Sequence, residues 1–126
     1  MSKVVVNTSK APGAIGPYSQ GIKAGELIFF SGQLPIDPAT GEFAKGGIRE
    51  WTRQSLENVK HILEEAGSSL DKVVKTTVFL TDLNDFAEMN AAYAEIFRTE
   101  CPARSCFQVC ALPKGATVEI EVIALA

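Results

Sequence analysis

The chain has 126 residues, 46% of them hydrophobic and 21% charged, a composition typical of one globular domain able to bury a single core. Twelve basic against fifteen acidic residues give a formal net charge of −3, which argues against general binding to a phosphate backbone. No apolar run approaches the roughly 20 residues of a membrane-spanning helix, and the apolar patch near the start is too short for a signal peptide. We therefore expect one cytoplasmic domain, residues 1–126, with no membrane or nucleic-acid partner.

The chain contains one histidine and three cysteines, which limits the chemistry available to it. His61 is predicted on the solvated face of a helix among charged residues, so a histidine-dependent triad or zinc site has no good candidate. Three cysteines without an export signal favour reduced thiols, and we expect all three to be packed as small apolar groups. Cys106 and Cys110 are four strand residues apart, roughly 13 Å, too far to share one tetrahedral ion. We expect neither a metal ion nor a cofactor.

Six short runs rich in β-branched and aromatic residues predict strands. In chain order they are residues 4–6, 18–23, 27–31, 73–80, 104–111 and 117–125. The first is expected at a sheet edge, and a tight turn at residues 24–26 joins the second and third. Prolines and glycines predict a long loop over residues 32–47. The fourth strand is apolar on both faces from Val78 onward, which is typical of a buried strand.

Two helices are predicted between the later strands. Apolar residues at helical spacing predict the first from Ile48 to Ala66, ended by Gly67. The second is predicted from Asp85 to Phe97, with Asp82 or Asn84 as its cap. The element order is that of an α+β sandwich, with two helices on one face of a six-stranded mixed sheet.

The sheet face opposite the helices needs its own cover. The last predicted strand alternates apolar residues on one face with a mixed set on the other: Glu119, Glu121, Ile123 and Leu125. Because this second face is not fully polar, we expect it to be buried against other copies of the chain in a closed ring.

Arg104 begins the fifth predicted strand, an unusual place for a surface guanidinium. One interpretation is a bidentate clamp for a planar carboxylate. The other is an ion pair with Glu119 or Glu121 on a neighbouring strand, and residue type alone does not separate the two. Glu119 is in turn either a general base that orients a water molecule or a solvated carboxylate at the rim of the sheet.

Four further positions carry polar groups that could belong to a site. Asn90 lies on the predicted inner side of the second helix, where its amide needs a neighbouring loop or a ligand as partner. Tyr18 begins one strand and Ser31–Gly32 ends another, where a glycine permits close approach of a ligand or simply forms a turn. Cys106 shares the strand of the arginine, but no histidine is available to activate it. Together these groups suit a small carboxylated substrate attacked by water.

Eight segments carry a resemblance to a known family: Ala14–Gly21, Phe30–Pro35, Gln54–Val59, Val74–Leu80, Asn90–Tyr93, Pro102–Cys106, Leu112–Gly115 and Val118–Glu121. Over nearly its whole length the chain resembles the Rid (YjgF/YER057c/UK114) family, in particular its RidA-type enamine/imine deaminases. The resemblance implies a chorismate-mutase-like fold, a homotrimeric barrel and sites between subunits. It also implies hydrolysis of 2-iminobutanoate and 2-iminopropanoate, reactive products of pyridoxal-phosphate-dependent dehydratases, to 2-oxo acids and ammonia.

The resemblance also implies a role for each candidate residue. Arg104 would bind the substrate carboxylate with help from the Gly32 N–H, and Glu119 would orient the attacking water. The implied catalytic residues are Arg104, Glu119 and Tyr18. The implied substrate-binding residues are Ser31, Gly32, Asn90, Arg104 and Cys106, the last chiefly through its backbone.

Two other functions are compatible with the same residues. The chain could form a trimer that binds small 2-oxo acids or other carboxylates without turnover, for which Arg104 would still be needed. It could also share the ribonuclease or chaperone activity ascribed to some relatives, although the acidic balance and the lack of a basic stripe speak against RNA.

Overall fold

Two long helices pack on one face of a six-stranded mixed sheet in the computed structural model of the chain, which describes residues 2–126. The helices are α1 (Ile48–Glu65) and α2 (Phe86–Ile96). Within residues 2–126 the strands are β1 (Lys3–Val6), β2 (Gly21–Ala24), β3 (Leu27–Phe30), β4 (Ile36–Asp37), β5 (Glu42–Phe43), β6 (Val73–Leu80), β7 (Ala103–Gln108) and β8 (Val118–Leu125). The predicted α+β class, with two helices and a six-stranded mixed sheet, is confirmed.

The sheet has the strand order β1-β2-β3-β8-β6-β7, so β8 lies near its centre and β1 and β7 form its edges. Neighbouring strands are antiparallel except β6 and β7, which run parallel. The chain connects these two through α2, because parallel strands need a long crossover. β8 pairs with β3 and β6 and not with β7. The interpretation that pairs Arg104 with Glu119 or Glu121 on a neighbouring strand is therefore wrong.

The predicted loop over residues 32–47 contains a small hairpin. β4 and β5 pair with each other through Ile36 opposite Phe43, apart from the main sheet. The connecting turn is closed by the carbonyl of Asp37, which accepts a hydrogen bond from the N–H of Gly41 at 2.8 Å. Two residues per strand give too short an alternation to be recognised in the sequence.

Two strands are each two residues shorter than predicted. β2 begins at Gly21, so Tyr18 lies in the preceding loop and not on a strand. β7 ends at Gln108 and does not extend to Ala111, because its partner β6 ends at Leu80, the residue registered with Gln108.

Each helix begins and ends on recognisable local interactions. The N–H of Gly47 donates to the carboxylate of Glu50 at 2.8 Å at the start of α1, and Gly67, with φ +80°, follows its end as predicted. Before α2, the carboxylate of Asp82 accepts from the N–H of Asn84 at 2.9 Å and caps a short 3₁₀ turn. This turn includes Asp85, the predicted first residue of α2. The helix therefore begins one residue later, at Phe86.

Two buried side-chain amides hold the irregular segments against the core. Gln20 accepts from the N–H of Thr8 at 2.7 Å and donates to its carbonyl at 3.0 Å. Asn58 on α1 is fully buried and donates to the carbonyls of Leu34 and Ile36 at 3.2 and 2.9 Å. These bonds satisfy backbone groups of Thr8, Leu34 and Ile36, all of which lie outside the main sheet.

His61 and the cysteines depart from their predicted environments. The His61 ring is half-buried, and its Nδ1 lies 2.8 Å from the carbonyl of Lys10, so it fastens the N-terminal segment instead of standing free in solvent. Cys101 and Cys110 are exposed and only Cys106 is half-buried, so the predicted burial of all three is wrong. The first two lie beyond the ends of the edge strand β7, where no layer covers them.

The sheet face away from the helices is open in the single chain. Four of its apolar side chains are between 44% and 59% exposed: Val5, Phe29, Phe107 and Leu125. A row of polar groups crosses this face, including Lys75, whose Nζ lies 2.8 Å from the Ser105 hydroxyl.

No helix within residues 2–126 has the length and apolar character needed to cross a bilayer.

Replacing Asn58 by alanine tests the role of the buried amides. We expect Asn58→Ala to lower the free energy of unfolding by about 2–3 kcal/mol, because two loop carbonyls lose their donor in a buried place. Urea denaturation measures this change. Gln54→Ala is the matched control, since it removes only the bond to the Asn58 oxygen. A loss for Asn58→Ala no larger than that of the control would contradict the assignment.

Candidate functional site

The first group of candidate residues surrounds Glu119 on the open face of β8. Gln33 forms an isolated bridge with Ile120, with N···O distances of 2.7 and 3.2 Å, and so brings the preceding Gly32 alongside β8. A Cβ atom on Gly32 would lie 2.7 Å from Cδ and 2.9 Å from Cγ of Glu119. The close approach therefore requires glycine at this position.

A cleft of about 860 Å³ opens beside this group. Tyr18, Ser31, Gly32 and Glu119 line it together with the N-terminal loop and Lys114. The Ser31 hydroxyl donates to the carbonyl of Ser19 at 2.5 Å, so its oxygen can still accept a hydrogen bond from a ligand. Tyr18 is half-exposed and is available to a bound molecule.

Glu119 has a carboxylate without a partner. It makes no hydrogen bond or ion pair with any other residue of the described range 2–126. Burial raises the pKa of Glu119 above its ordinary value, and the neighbouring Glu121 carboxylate raises this pKa further. A carboxyl group whose pKa is shifted toward neutrality can both accept and return a proton.

The second group of candidate residues surrounds Arg104 beneath α2. The guanidinium donates from Nη1 to Oδ1 of Asn90 at 2.7 Å. Its Cζ lies 4.7 Å from the ring centroid of Tyr93 and 5.4 Å from that of Phe86. Of the two interpretations of Arg104, the ion pair with Glu119 or Glu121 is excluded within the chain, and the carboxylate clamp stays a prediction.

Cys106 lies two residues from Arg104 on the same face of β7. Burial raises the pKa of the Cys106 thiol, and the charge of Arg104 only partly opposes this. The thiol therefore stays protonated at neutral pH and is a poor nucleophile.

The two groups lie on opposite faces of the sheet. Arg104 is registered with Thr76 on β6, and Thr76 with Val122 on β8, so all three point to the helix side. Glu119 is three residues from Val122 and points to the other side. Two strand spacings and three residues separate Arg104 from Glu119, about 14 Å between Cα atoms. One small molecule cannot contact both groups within one chain.

The seven sequence-predicted residues are therefore distributed between two places. Tyr18, Ser31, Gly32 and Glu119 come together at the cleft, while Arg104, Asn90 and Cys106 come together under α2. The partners of the arginine that sequence reasoning missed are the aromatic rings of Phe86 and Tyr93. Their spacing with Asn90, four and then three residues, places all three on one helix face, but this pattern is also typical of core packing.

Comparison with known proteins assigns the chain to a family. Residues 8–126 match the family model described as endoribonuclease L-PSP. The chain belongs to the Rid family. A Pyrococcus abyssi RutC family protein is 57% identical over 124 residues, covering 98% of each chain. The human 2-iminobutanoate/2-iminopropanoate deaminase is 48% identical over 121 residues, 96% of this chain and 88% of the human protein. Membership in the Rid family confirms the resemblance derived from the sequence segments.

A solved structure agrees closely with the fold. E. coli TdcF, determined with bound serine, superposes with a TM-score of 0.93 at 48% identity, over 98% of both chains.

Within residues 2–126 of the present chain, histidine, cysteine and carboxylate side chains form no group of three that could hold a metal ion.

The close approach of Gly32 to Glu119 can be tested by Gly32→Ala. Because the added Cβ would clash with the flexible Glu119 side chain, we expect the carboxylate to shift while the fold is retained. A crystal structure of the variant and an NMR titration of the Glu119 carboxyl measure this change. Gly13→Ala is the control, since a Cβ there meets nothing within 4 Å. An unmoved carboxylate in Gly32→Ala would refute the assignment.

The raised pKa of Glu119 has a consequence for stability. A carboxyl group with a raised pKa in the folded state favours folding when it is protonated, and this contribution is lost as the pH rises through that pKa. We expect Glu119→Gln to raise the free energy of unfolding at pH 7 by less than about 1 kcal/mol, since the group is only half-buried. The advantage should disappear near pH 4, as measured by urea denaturation at both pH values. A variant less stable than wild type at pH 7 would show the opposite sign.

Proposed function

We propose that this Rid protein hydrolyses 2-iminobutanoate and 2-iminopropanoate to the 2-oxo acids and ammonia. The observation that carries the proposal is a guanidinium held only by neutral groups, which leaves its charge available to a substrate carboxylate. Glu119 adds a carboxyl group with a raised pKa at a cleft. The activity named for the human relative supports the same assignment.

The chemistry requires little from the protein. A protonated imine carbon is already electrophilic, so a water oxygen can add to it while the C=N electron pair moves to nitrogen. Glu119 takes a proton from this water and returns one to the nitrogen. A lone pair of the hydroxyl oxygen then forms the C=O bond as the C–N bond breaks and its electron pair leaves with ammonia. The hydroxyl proton passes through Glu119 to this ammonia, so that a 2-oxo acid and ammonium leave. Positioning of the imine and water supplies much of the rate, which agrees with a site of few reactive groups.

The proposed site lies between two copies of the chain in a homotrimer. Arg104 and Glu119 point away from each other in one chain, so a single substrate can meet both only when they come from different copies. The open apolar face of the sheet supports such an assembly, because isolated chains seldom expose contiguous apolar surface of this kind. The serine bound by TdcF has a carboxylate next to a nitrogen-bearing carbon, as the proposed substrate has.

The endoribonuclease description of the family model does not change this proposal. The cleft beside Glu119 is lined by one basic side chain, Lys114, and by one carboxylate. The whole chain carries a net charge of −3. RNA binding depends on clustered positive charge along the phosphate backbone, which this cleft does not provide.

The decisive assay generates 2-iminobutanoate in place with a threonine dehydratase and follows release of 2-oxobutanoate. We expect the protein to accelerate release, Glu119→Gln to lower kcat by at least about 100-fold, and Arg104→Ala to lower kcat/KM by at least about 100-fold. No acceleration by equimolar wild-type protein would remove the deaminase activity. Binding of 2-oxobutanoate without turnover would instead support the carboxylate-binding alternative.

The oligomeric state of the protein is tested separately. We expect light scattering coupled to size-exclusion chromatography to give a trimer at micromolar concentration. Phe107→Glu should shift the chain toward monomer, because it puts a charge on the open apolar face. Wild-type protein that elutes as a monomer would overturn the intersubunit site.

A further inference from the structure

Arg104 differs from the arginines of the helix layer in what compensates its charge. Arg53 pairs with Glu95 at 2.8 Å and Glu50 at 3.2 Å, and Arg49 pairs with Glu88. The polar partner of Arg104 is the neutral amide of Asn90. Of the five N–H donors of the guanidinium, one is used by this amide and four have no partner among residues 2–126.

Three side chains on one face of α2 surround this guanidinium. Tyr93 and Phe86 present their rings to Cζ at 4.7 and 5.4 Å, and Asn90 lies between them along the helix. Rings at these distances attract a cation without neutralising it. The amide oxygen fixes the rotation of the guanidinium plane, because it accepts from one particular nitrogen.

The Tyr93 ring, the more buried of the two rings, is itself held in place by other side chains. The Tyr93 hydroxyl lies 2.7 Å from the Thr76 hydroxyl, in a hydrogen bond that is buried. Thr76 is fully buried on β6, directly opposite Arg104 in the parallel register. The Tyr93 ring also packs on Phe97, with ring centroids 4.8 Å apart. The Tyr93 ring under Arg104 is therefore held in place by contacts within the fold.

We propose that Phe86, Asn90 and Tyr93 are positioning residues that hold the Arg104 guanidinium in one orientation without neutralising its charge. In this arrangement the guanidinium selects a planar carboxylate. The inference rests on the proposed function, because it concerns the same site. It gives Asn90 a role that acts through Arg104, in place of direct contact with the substrate. It also explains why an amide stands there: a carboxylate would hold the guanidinium as well but would compete with the substrate.

Two substitutions test the proposal on the intact protein. We expect Phe86→Leu to raise KM for 2-iminobutanoate about 3- to 10-fold with kcat within twofold, and Phe86→Tyr to restore KM. Asn90→Asp, which keeps the shape of the side chain, should raise KM at least 10-fold. Isothermal titration with 2-oxobutanoate should show parallel losses of affinity. Phe43→Leu on the β4–β5 hairpin is the matched control and should leave KM and affinity unchanged.

A spectroscopic measurement separates positioning from general destabilisation. The Arg104 Nε–H should give a sharp, ordered NMR signal in the wild type without ligand and an averaged one in Phe86→Leu, while the melting temperature changes little because Phe86 is 36% exposed. Unchanged KM, affinity and NMR signal in Phe86→Leu and Asn90→Asp would overturn the proposal.

The outcomes for the two proposals are distinguishable. A wild-type protein without deaminase activity, whose binding of 2-oxobutanoate still depends on Phe86 and Asn90, would refute the function and keep the positioning role. An active wild type whose KM and affinity are unchanged in Phe86→Leu and Asn90→Asp would support the function and refute the positioning role. A wild type that neither binds 2-oxobutanoate nor hydrolyses the imine would refute both.

Discussion

Successive side chains of β8 point to opposite faces of the sheet, and the positions of Arg104 and Glu119 relative to each other depend on that alternation. Val118, Ile120 and Val122 face the helices and are almost fully buried. Glu119 must then face the other way, toward the cleft. The arginine, two strands away, follows the helix side because its register is set through β6. A strand that serves the core on one face thus places the acidic and basic groups on opposite sides of one layer.

The local patterns in the sequence were sufficient for much of the fold. Helical spacing and Gly67 located α1, and the apolar runs located all six strands of the sheet. The pairing of these strands could not be obtained in the same way, because two consecutive strands near the end of the chain look like a hairpin whether or not they pair. One of the two interpretations of Arg104 assumed such a pairing, which is excluded because β6 lies between β7 and β8. Residue type alone favoured buried cysteines, and it does not show that Cys101 and Cys110 lie beyond the ends of an edge strand.

The candidate site shows a similar division between what residue type reveals and what it does not. Residue type and position single out Arg104, Glu119 and Gly32 as candidates, and the structure places Arg104 against Asn90 and Gly32 against Glu119. The environment of Arg104 was not foreseen, because aromatic residues on a helix face are ordinarily core. Gln20 and Asn58 were also missed, since a buried amide is recognisable only once the loop that it binds is known.

The central position of β8 also bears on how the chain folds. Because β8 pairs with both β3 and β6, the strands that precede it form two separate pieces of sheet, each with an unpaired edge. During synthesis on the ribosome, β8 is the last of these strands to emerge, so the edges of β3 and β6 stay open until then. The sheet is therefore completed only once β8 has emerged, and chains that lack residues 118–125 should be prone to aggregation.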